Sequence, residues 1–281
     1  MTEPLQINKM EIKQANCLDQ AFFDQPCIDL ANALLGKYLV RRLSCGTLLI
    51  GKIVETESYL GVEDRASHSY NNRRTPRNEP MYMKPGTIYV YFTYGMYHCF
   101  NLSSQESGGA VLIRSLEPVH GLDIMNRLRN QFNENQNKSK RNNHLPNSQN
   151  NEETHSQSNR NSPAKKQKLI KSKQTLSSND WDQPNKKSKL QDRDLCNGPS
   201  KLCISMDITI EYLNKRHICE SEEMWVQDLD CESNITIVES SRIGIGDFAK
   251  EWKAKLLRFY ILGNKCVSKT DKKMESQMLS C

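Results

Sequence analysis

The sequence predicts an α+β fold, a single domain around a curved, mainly antiparallel sheet with a protruding β-hairpin and surrounding short helices. Runs with the alternation typical of strands are interspersed with short helical patterns, and they do not repeat as the β–α–β units of a parallel sheet. Two strand-like runs, residues 86–94 and 96–102, meet near Gly95, which predicts a hairpin that exposes Tyr94 or its neighbours at the tip.

The chain before this hairpin is predicted to hold a short helix and a long strand. Residues 29–35 carry apolar side chains at helical spacing, and Gly36 follows where a glycine cap is favoured. Residues 47–59 alternate apolar and polar positions, which indicates a strand or a pair of strands with Gly51 as a bulge or a bend. Residues 63–85 are polar and rich in turn formers, so a long surface loop is expected there.

Later segments complete the predicted fold. Residues 110–116 form another apolar run typical of a strand. Further along, a helix is expected to begin at Pro199, because proline suits a first helical turn. A strand and turn at residues 242–246 and a closing strand at residues 256–262 follow. The polar tail, residues 268–281, is expected to be flexible.

One long segment interrupts the domain. Residues 130–189 contain seven apolar side chains among 60 positions, too few to bury a core, so we expect a disordered basic insert. The domain then comprises residues 18–129 and 190–267, after a flexible N-terminus, residues 1–17. The insert carries 12 Lys/Arg and 5 Asp/Glu, a net charge of +7, whereas the other 221 residues carry 27 and 28, a net charge of −1. The overall basic charge therefore does not by itself predict DNA binding.

The insert contains two short basic clusters, each opened by a proline. They resemble nuclear import signals and predict import receptors as partners and the nucleus as the location. Lysines that are merely solvated are the alternative. The lysines concerned are Lys165, Lys166, Lys168, Lys186, Lys187 and Lys189.

Composition indicates a soluble intracellular protein without a metal site. The ten cysteines occur singly, with no CxxC pair and no histidine grouping at zinc-ligand spacing, so reduced thiols are expected. The sequence contains neither the apolar run of a signal peptide nor an apolar stretch long enough to span a membrane. It also lacks HExxH, GxGxxG and P-loop patterns, which argues against a metallopeptidase, a dinucleotide enzyme or a nucleoside triphosphatase.

A pair of glutamates and an aromatic hairpin are the strongest functional signals. Glu55 and Glu57 lie two residues apart, so a strand places both on one face, near Tyr59. Residues 91–97 (YFTYGMY) bring further aromatic rings to a turn. Aromatic faces stack on nucleobases, and a carboxylate activates a water for attack on a sugar carbon while it stabilises an oxocarbenium-like transition state. Together these residues predict an enzyme that grips flat bases.

Each of these residues also has an ordinary structural explanation. A pair of strand glutamates often forms only an exposed face, a lone histidine such as His68 is often structural, and the tyrosines of a strand are often core. Tyr94 at a turn tip is harder to explain as core. Asn101 has an amide suited to a base edge and Arg114 a guanidinium suited to a phosphate, yet both residue types have structural uses as well.

Six sequence blocks resemble the mammalian-type 3-methyladenine (alkyladenine) DNA glycosylases. They occur in the family's order and cover nearly everything from about residue 22 to residue 267 except the insert. The blocks are residues 52–61 (KIVETESYLG), 75–78 (TPRN), 83–86 (MKPG), 91–97 (YFTYGMY), 193–203 (RDLCNGPSKLC) and 256–260 (LLRFY). The hairpin departs from the family pattern, because Phe92 and Thr93 replace two aliphatic residues and His98 replaces an aromatic one.

The resemblance implies a monofunctional glycosylase of base excision repair that needs no metal or other cofactor. Such an enzyme binds double-stranded DNA, flips alkylated or deaminated purines (3-methyladenine, 7-methylguanine, hypoxanthine, ethenoadenine) and hydrolyses the N-glycosidic bond to leave an abasic site. One chain per lesion is sufficient, so a monomer is expected.

The resemblance also assigns roles by position. Glu57 matches the water-activating acid, and Tyr94 matches the residue pushed into the minor groove. Tyr59, His68 and Tyr91 match the residues of the pocket around the flipped base. Asn101 matches the amide that disfavours the 2-amino group of guanine, and Arg114 matches an arginine at the lesion's backbone. Met96 and Tyr97 match hairpin residues beside the wedge. Arg73 and Lys201 are further candidates for DNA contact, Lys201 because it lies near a helix start, where phosphates bind.

Two other classes of function stay open at this point. A non-catalytic damage-recognition protein flips lesions without cutting the glycosidic bond, although an intact Glu57 argues against it. A general DNA-binding scaffold that relies on the basic insert predicts that deletion of residues 130–189 abolishes lesion binding.

Overall fold

Eight strands and eight helices make up the described part of the chain. The computed structural model describes residues 17–142, 189–229 and 235–279. The strands are β1 Tyr38–Arg42, β2 Leu48–Tyr59, β3 Ile88–Thr93, β4 Tyr97–Ser103, β5 Ala110–His120, β6 Met224–Gln227, β7 Ile237–Ser240 and β8 Arg258–Ile261. The helices are α1 Gln20–Phe23, α2 Cys27–Ala33, α3 Leu122–Asn142, α4 Asp192–Leu195, α5 Pro199–Ser205, α6 Ile210–Leu213, α7 Lys250–Ala254 and α8 Lys272–Leu279.

The long strand β2 organises the sheet. It pairs with β1 through its first half and with β8 through its second half, while β5 pairs with it along the other edge. Within the described residues the strand order is β3-β4-β5-β2-β1-β6, with β7 attached to β8, and every pair is antiparallel. The register of β2 against β5 shifts between Ile50 and Gly51 and again around Glu55. Bulges bend a strand, so the sheet curls into a half-barrel, and the predicted curved antiparallel sheet is confirmed.

The bulge at Gly51 is confirmed, and packing explains the glycine. A Cβ atom at this position would lie 2.8 Å from Cβ of Leu116, closer than real side chains approach. The helix predicted at residues 29–35 is α2, which ends before Gly36, and Gly36 has φ +85°. A glycine adopts this conformation without a steric cost.

The largest core cluster lies between the helices and one face of the sheet. It joins Leu30 of α2, Ile53 of β2, Phe100 of β4 and Leu202 of α5, each at most 1% exposed. This packing fixes β2 and β4, and the cavity described below opens beside them. The loop expected at residues 63–85 contains two short 3₁₀ turns, Tyr70–Asn72 and Glu79–Tyr82, and a third, Gly61–Glu63, ends where the loop begins.

The helix α3 extends into the predicted insert, so the boundary at residue 130 was wrong. Met125 is fully buried, and Arg129 Nη1 donates to the backbone carbonyls of Asp194 and Leu195 at 3.0 and 2.6 Å. A helix nucleated by such contacts propagates at one hydrogen bond per added residue. Helix formation therefore continues to Asn142, although few apolar side chains are present there.

The prediction of a flexible tail from residue 268 was also wrong as far as Leu279, because α8 is present there. Long-range hydrogen bonds anchor it: the backbone N–H of Asp271 donates to Tyr260 Oη at 2.8 Å, and Tyr260 Oη donates to Glu275 Oε1 at 3.0 Å. Similarly, the strand predicted within residues 242–246 lies earlier, as β7, because pairing with β8 sets its position. Amino-acid composition alone does not reveal such long-range contacts.

Several predictions lie outside the described residues: the N-terminus up to residue 16, the insert over residues 143–188, and all of the cluster lysines except Lys189. Lys189 Nζ lies 3.8 Å from Asp123 Oδ1. None of the helices in the described ranges is both long and apolar enough to cross a membrane. The described residues form one α+β domain with short helices around the curled sheet, as predicted.

Candidate active site

A cavity of about 370 Å³ opens between the β3–β4 hairpin, the end of β2 and the segment that follows β7. Six residues singled out from the sequence line it, namely Tyr59, His68, Tyr91, Tyr94, Asn101 and Arg114. Four strands and two loops supply these side chains, so the folding of the sheet, not proximity in sequence, brings them together.

Glu57 lies behind the cavity wall and is fully buried. Its Oε1 atom accepts hydrogen bonds from Arg114 Nη1 at 3.2 Å and from the backbone N–H of Ile243 at 2.8 Å. Its Oε2 atom accepts one from Tyr59 Oη at 3.0 Å. All three donors line the cavity. Because a carboxylate oxygen has two lone pairs, Oε1 is saturated and Oε2 retains one acceptor position.

Glu55 is equally buried but accepts hydrogen bonds from a different set of donors. It accepts hydrogen bonds from Arg258 Nη1 and Ser115 Oγ, both at 2.9 Å, and from the backbone N–H of Ser268 at 2.8 Å. Arg114 Nε lies 3.3 Å from Glu55 Oε1 as an ion pair. Glu55 therefore links β2 to β5 and β8, and Glu57 is the member of the pair whose partners all line the cavity. The alternative explanation, that the two glutamates lie on an exposed strand face, is wrong for both.

Replacement of Glu55 by Gln is expected to destabilise the fold. It removes the negative charge next to Arg258 and Arg114, and hydrogen bonds to charged groups contribute about 1.5 to 3 kcal/mol each. We expect the free energy of unfolding to fall by roughly 2 kcal/mol. Urea unfolding followed by circular dichroism measures this, and an unchanged midpoint would show that Glu55 does not hold β2 and β8 together.

Tyr59 is held from two sides. Its hydroxyl donates to Glu57, and the guanidinium of Arg242 lies 4.6 Å from its ring centroid. Arg242 is itself fixed by Asp64 in a fully buried pair, with Nη1–Oδ2 and Nη2–Oδ1 distances of 2.5 and 3.0 Å. Burial and the adjacent Glu57 carboxylate raise the pKa of Tyr59 well above its ordinary value. The hydroxyl thus stays protonated and remains a donor.

His68 borders the cavity as a neutral imidazole. Its Nδ1 atom lies 2.8 Å from Tyr89 Oη. Burial and, secondarily, Arg77 lower the pKa of His68 to about 4.

We expect the NMR titration of His68 to show a midpoint near pH 4. Replacement of Arg77 by Met removes the nearby cation and should move the pKa of His68 part of the way towards 6.5. The unfolded chain takes up this proton first, so the contribution of His68 to stability is lost as the pH falls from about 6.5 to about 4. An ordinary midpoint near 6.5 in the native chain would contradict the assignment.

Tyr91 completes the aromatic wall. Its ring makes an edge-to-face contact with His68 at 4.7 Å, and the Arg77 guanidinium lies 5.2 Å from its centroid. Arg77 Nη2 also donates to the backbone carbonyl of Phe92 at 3.2 Å. Arg77 thus supports Tyr91 as Arg242 supports Tyr59, so each ring has a cation on one side. Burial raises the pKa of Tyr91.

Asn101 presents an oriented amide. It is 4% exposed, and its Nδ2 atom donates to the backbone carbonyl of Tyr89 at 3.0 Å. This bond crosses from β4 to β3, where Asn101 and Tyr89 are paired residues. The amide therefore cannot rotate freely at the cavity wall.

The tip of the β3–β4 hairpin carries Tyr94, as predicted. Tyr94 and Gly95 have φ values of +49° and +69°, and the Met96 N–H donates to the Thr93 carbonyl at 3.2 Å. A large aromatic residue at positive φ is strained, and such strain concentrates at functional sites. Tyr94 is 86% exposed.

The remaining predicted DNA contacts lie outside the cavity wall. Tyr97 packs on Phe132 of α3 with ring centroids 5.6 Å apart, and Met96 occupies the hairpin turn. Arg73 is exposed, at the end of a 3₁₀ turn. Lys201 Nζ donates to Asn197 Oδ1 at 2.8 Å, in the first turn of α5. Arg114, expected at the lesion's backbone, lines the cavity and forms ion pairs with Glu57 and Glu55.

Sequence reasoning missed the supporting residues. Asp64, Arg77 and Arg242 had no assigned role, and residues 242–246 were interpreted only as a strand and turn. Ile243 contributes a backbone N–H, which no side-chain pattern reveals. Phe248 also lines the cavity and was not singled out. No group of three or more His, Cys, Asp or Glu side chains suited to a metal ion occurs within the described ranges.

The sequence is similar to those of known proteins. A family model described as methylpurine-DNA glycosylase matches residues 21–145 and 159–265. The DNA-3-methyladenine glycosylase of Mus musculus is 41% identical over 260 residues, which are 92% of this chain and 63% of the mouse protein. For that of Homo sapiens the identity is 41% over 255 residues, 90% of this chain and 68% of the human protein.

A bacterial relative is covered almost completely. A protein of Clostridium perfringens (strain SM101 / Type A), provisionally named a 3-methyladenine DNA glycosylase, is 38% identical over 255 residues, which are 90% of this chain and 98% of that protein. The chain thus spans about two thirds of the mammalian relatives and nearly all of the bacterial one.

Proposed function

Because the chain belongs to the methylpurine-DNA glycosylase family, we propose that it is a monofunctional DNA glycosylase of base excision repair. It flips alkylated or deaminated purines out of double-stranded DNA, among them 3-methyladenine, 7-methylguanine, hypoxanthine and ethenoadenine. It then hydrolyses the N-glycosidic bond and leaves an abasic site. Its mouse and human relatives are named DNA-3-methyladenine glycosylases.

The observation that carries this proposal is the position of Glu57 behind an aromatic cavity. Oε2 has one acceptor position left beside the Tyr59 hydroxyl, so a water at the cavity floor gives its proton to this atom and attacks C1′ as the base leaves. Arg114 and the Ile243 N–H fix the other oxygen, which orients the carboxylate. Its negative charge also stabilises the oxocarbenium-like transition state.

The cavity wall suits a flat, electron-poor base. Tyr59, His68 and Tyr91 surround the flipped purine, and a cationic N3- or N7-alkylated purine gains about 0.5 to 2 kcal/mol over a tyrosine face. His68 is neutral at physiological pH, so it does not repel a cationic base. The amide of Asn101 is held by the Tyr89 carbonyl and excludes the 2-amino group of guanine by its fixed position.

The hairpin extrudes the base. Tyr94 enters the minor groove and fills the vacated stack, which offsets part of the few kcal/mol that extrusion costs. Met96 and Tyr97 lie beside this wedge, and the contact of Tyr97 with Phe132 braces the hairpin against α3. Arg73 and Lys201 contact phosphates.

The chemistry stops at the abasic site. Further strand cleavage requires an amine that forms a Schiff base with the sugar, and the cavity-lining residues, all within the described ranges, include no lysine. We therefore expect the product strand to stay intact until alkali is added. Neither the water attack nor the leaving of the base requires a metal ion.

We further propose that the protein acts as a monomer in the nucleus. The basic clusters that support nuclear import contain Lys165, Lys166, Lys168, Lys186, Lys187 and Lys189. Import receptors would bind these lysines, and the same lysines strengthen non-specific attraction to DNA.

Single-turnover base release tests the proposed activity. Duplexes with ethenoadenine, hypoxanthine or 7-methylguanine are incubated with excess protein, and the free base is measured by chromatography. Release of the base together with alkali-labile, otherwise intact strands supports a monofunctional glycosylase. Lesion binding without release from any of these duplexes would instead indicate the non-catalytic damage-recognition protein. Loss of lesion binding on deletion of residues 143–188 would favour the DNA-binding scaffold.

A further inference from the structure

Phe248 is an exposed aromatic residue at the cavity that the proposed function leaves without a role. Its side chain is 71% exposed, and among the aromatic side chains of the described ranges only Tyr94 is more exposed. A lone exposed apolar residue is ordinary. Phe248 is different because it lines the same cavity as Tyr94, from a separate element.

The local structure holds this ring outwards. Phe248 lies in a 3₁₀ turn, Asp247–Ala249, and its neighbours Ala249 and Trp252 are buried in a small cluster against which Leu60 and Ala66 pack. Phe248 is not part of that cluster, and its ring is exposed to solvent. A Cβ atom on Gly246 would lie 2.8 Å from the Phe248 ring, so the ring packs directly over the backbone of the glycine.

The same segment reaches the catalytic carboxylate. The backbone N–H of Ile243 donates to Glu57 Oε1 at 2.8 Å, and Phe248 follows five residues later at the cavity. A short piece of chain thus contributes both to the fixation of Glu57 and to the cavity rim. A nucleotide that contacts Phe248 therefore contacts the same segment that orients the Glu57 carboxylate.

We propose that Phe248 is a second aromatic contact of the substrate, which packs against the extruded nucleotide itself. This inference rests on the proposed function. Tyr94 replaces the base within the duplex, whereas Phe248 covers the base and deoxyribose that have left it. Such packing removes apolar surface from water on both partners and stabilises the flipped-out state. Phe248 thereby raises the affinity for damaged DNA without a contribution to undamaged DNA.

The test compares the affinity of the full chain for a duplex containing ethenoadenine and for the same duplex with adenine, both by fluorescence anisotropy. Phe248→Ala is expected to weaken binding of the damaged duplex about tenfold and to leave binding of the undamaged duplex unchanged. Phe248→Tyr keeps an aromatic ring and should retain both affinities. Tyr212→Ala serves as the matched control, because Tyr212 is an exposed aromatic residue (41%) that does not line the cavity.

Each outcome bears on the inference. Equal losses on the two duplexes would identify Phe248 as a general DNA contact and overturn the proposal, and so would unchanged binding of the damaged duplex. If the native chain prefers the damaged duplex but releases no base, the proposed glycosylase activity fails while the binding ratio still decides the role of Phe248. If the native chain has no preference for the damaged duplex, both proposals fail.

Discussion

Replacement of Glu57 by Gln is expected to slow base release by about 10² to 10⁴-fold, the usual contribution of a general base. A glutamine has the same size, and its carbonyl oxygen still accepts from Arg114 and Ile243. Its amide nitrogen, in the place of Oε2, donates to the Tyr59 oxygen instead of accepting a proton from water. The hydrogen-bonded cage is thus retained while the base catalyst is lost. Single-turnover release from an ethenoadenine duplex measures the effect.

Two controls make this result specific. Binding of the damaged duplex by Glu57→Gln should stay within a few-fold of the native value, because Glu57 lies behind the wall and not at the base faces. Glu55→Gln changes the same residue type two positions away, and we expect it to lower stability while it retains most of the release rate. A Glu57→Gln protein that releases base at the native rate would exclude Glu57 as the water-activating group.

Replacement of Tyr94 by Asn is expected to slow base release from duplex DNA by roughly 100-fold, since a side chain that fills the stack offsets part of the few kcal/mol of extrusion. Asparagine tolerates positive φ well, so the turn at Tyr94 and Gly95 should form with less strain than in the native chain. In single-stranded DNA there is no partner base to leave, and the rate should change little. Single-turnover release from matched duplex and single-stranded substrates separates the two cases.

The hydroxyl of Tyr94 is not required for this role. Tyr94→Phe keeps the ring at the same backbone position and should retain the duplex rate within a few-fold. Equal slowing of Tyr94→Asn on duplex and single strand would assign Tyr94 to the chemistry or to general binding, and would argue against a wedge.

The local parts of the site were predictable from sequence because they depend on short-range periodicity. The alternation of residues 47–59 places Glu57 and Tyr59 on one strand, and turn chemistry places Tyr94 at the hairpin tip. Gly51 marks the bulge for a similar local reason. The family resemblance added His68, Asn101 and Arg114, which have no distinctive local signal.

The residues that hold the site were not predictable, because their partners lie far along the chain. Arg242 pairs with Asp64 across 178 positions and Arg258 pairs with Glu55 across 203. Propensity and periodicity describe windows of about ten to twenty residues and contain no information about such pairs.

By itself, the sequence determined the antiparallel α+β character of the fold, the aromatic hairpin and the strand that carries two glutamates. The family resemblance pointed to Glu57, but only the tertiary structure shows how the partners of the two glutamates differ. The bulges around Glu55 turn β2 so that Glu55 meets Arg258 of β8, whereas Glu57 meets Tyr59, Arg114 and Ile243 at the cavity wall. The physical reason is that a buried carboxylate takes its role from the donors around it, and distant segments of the chain supply those donors.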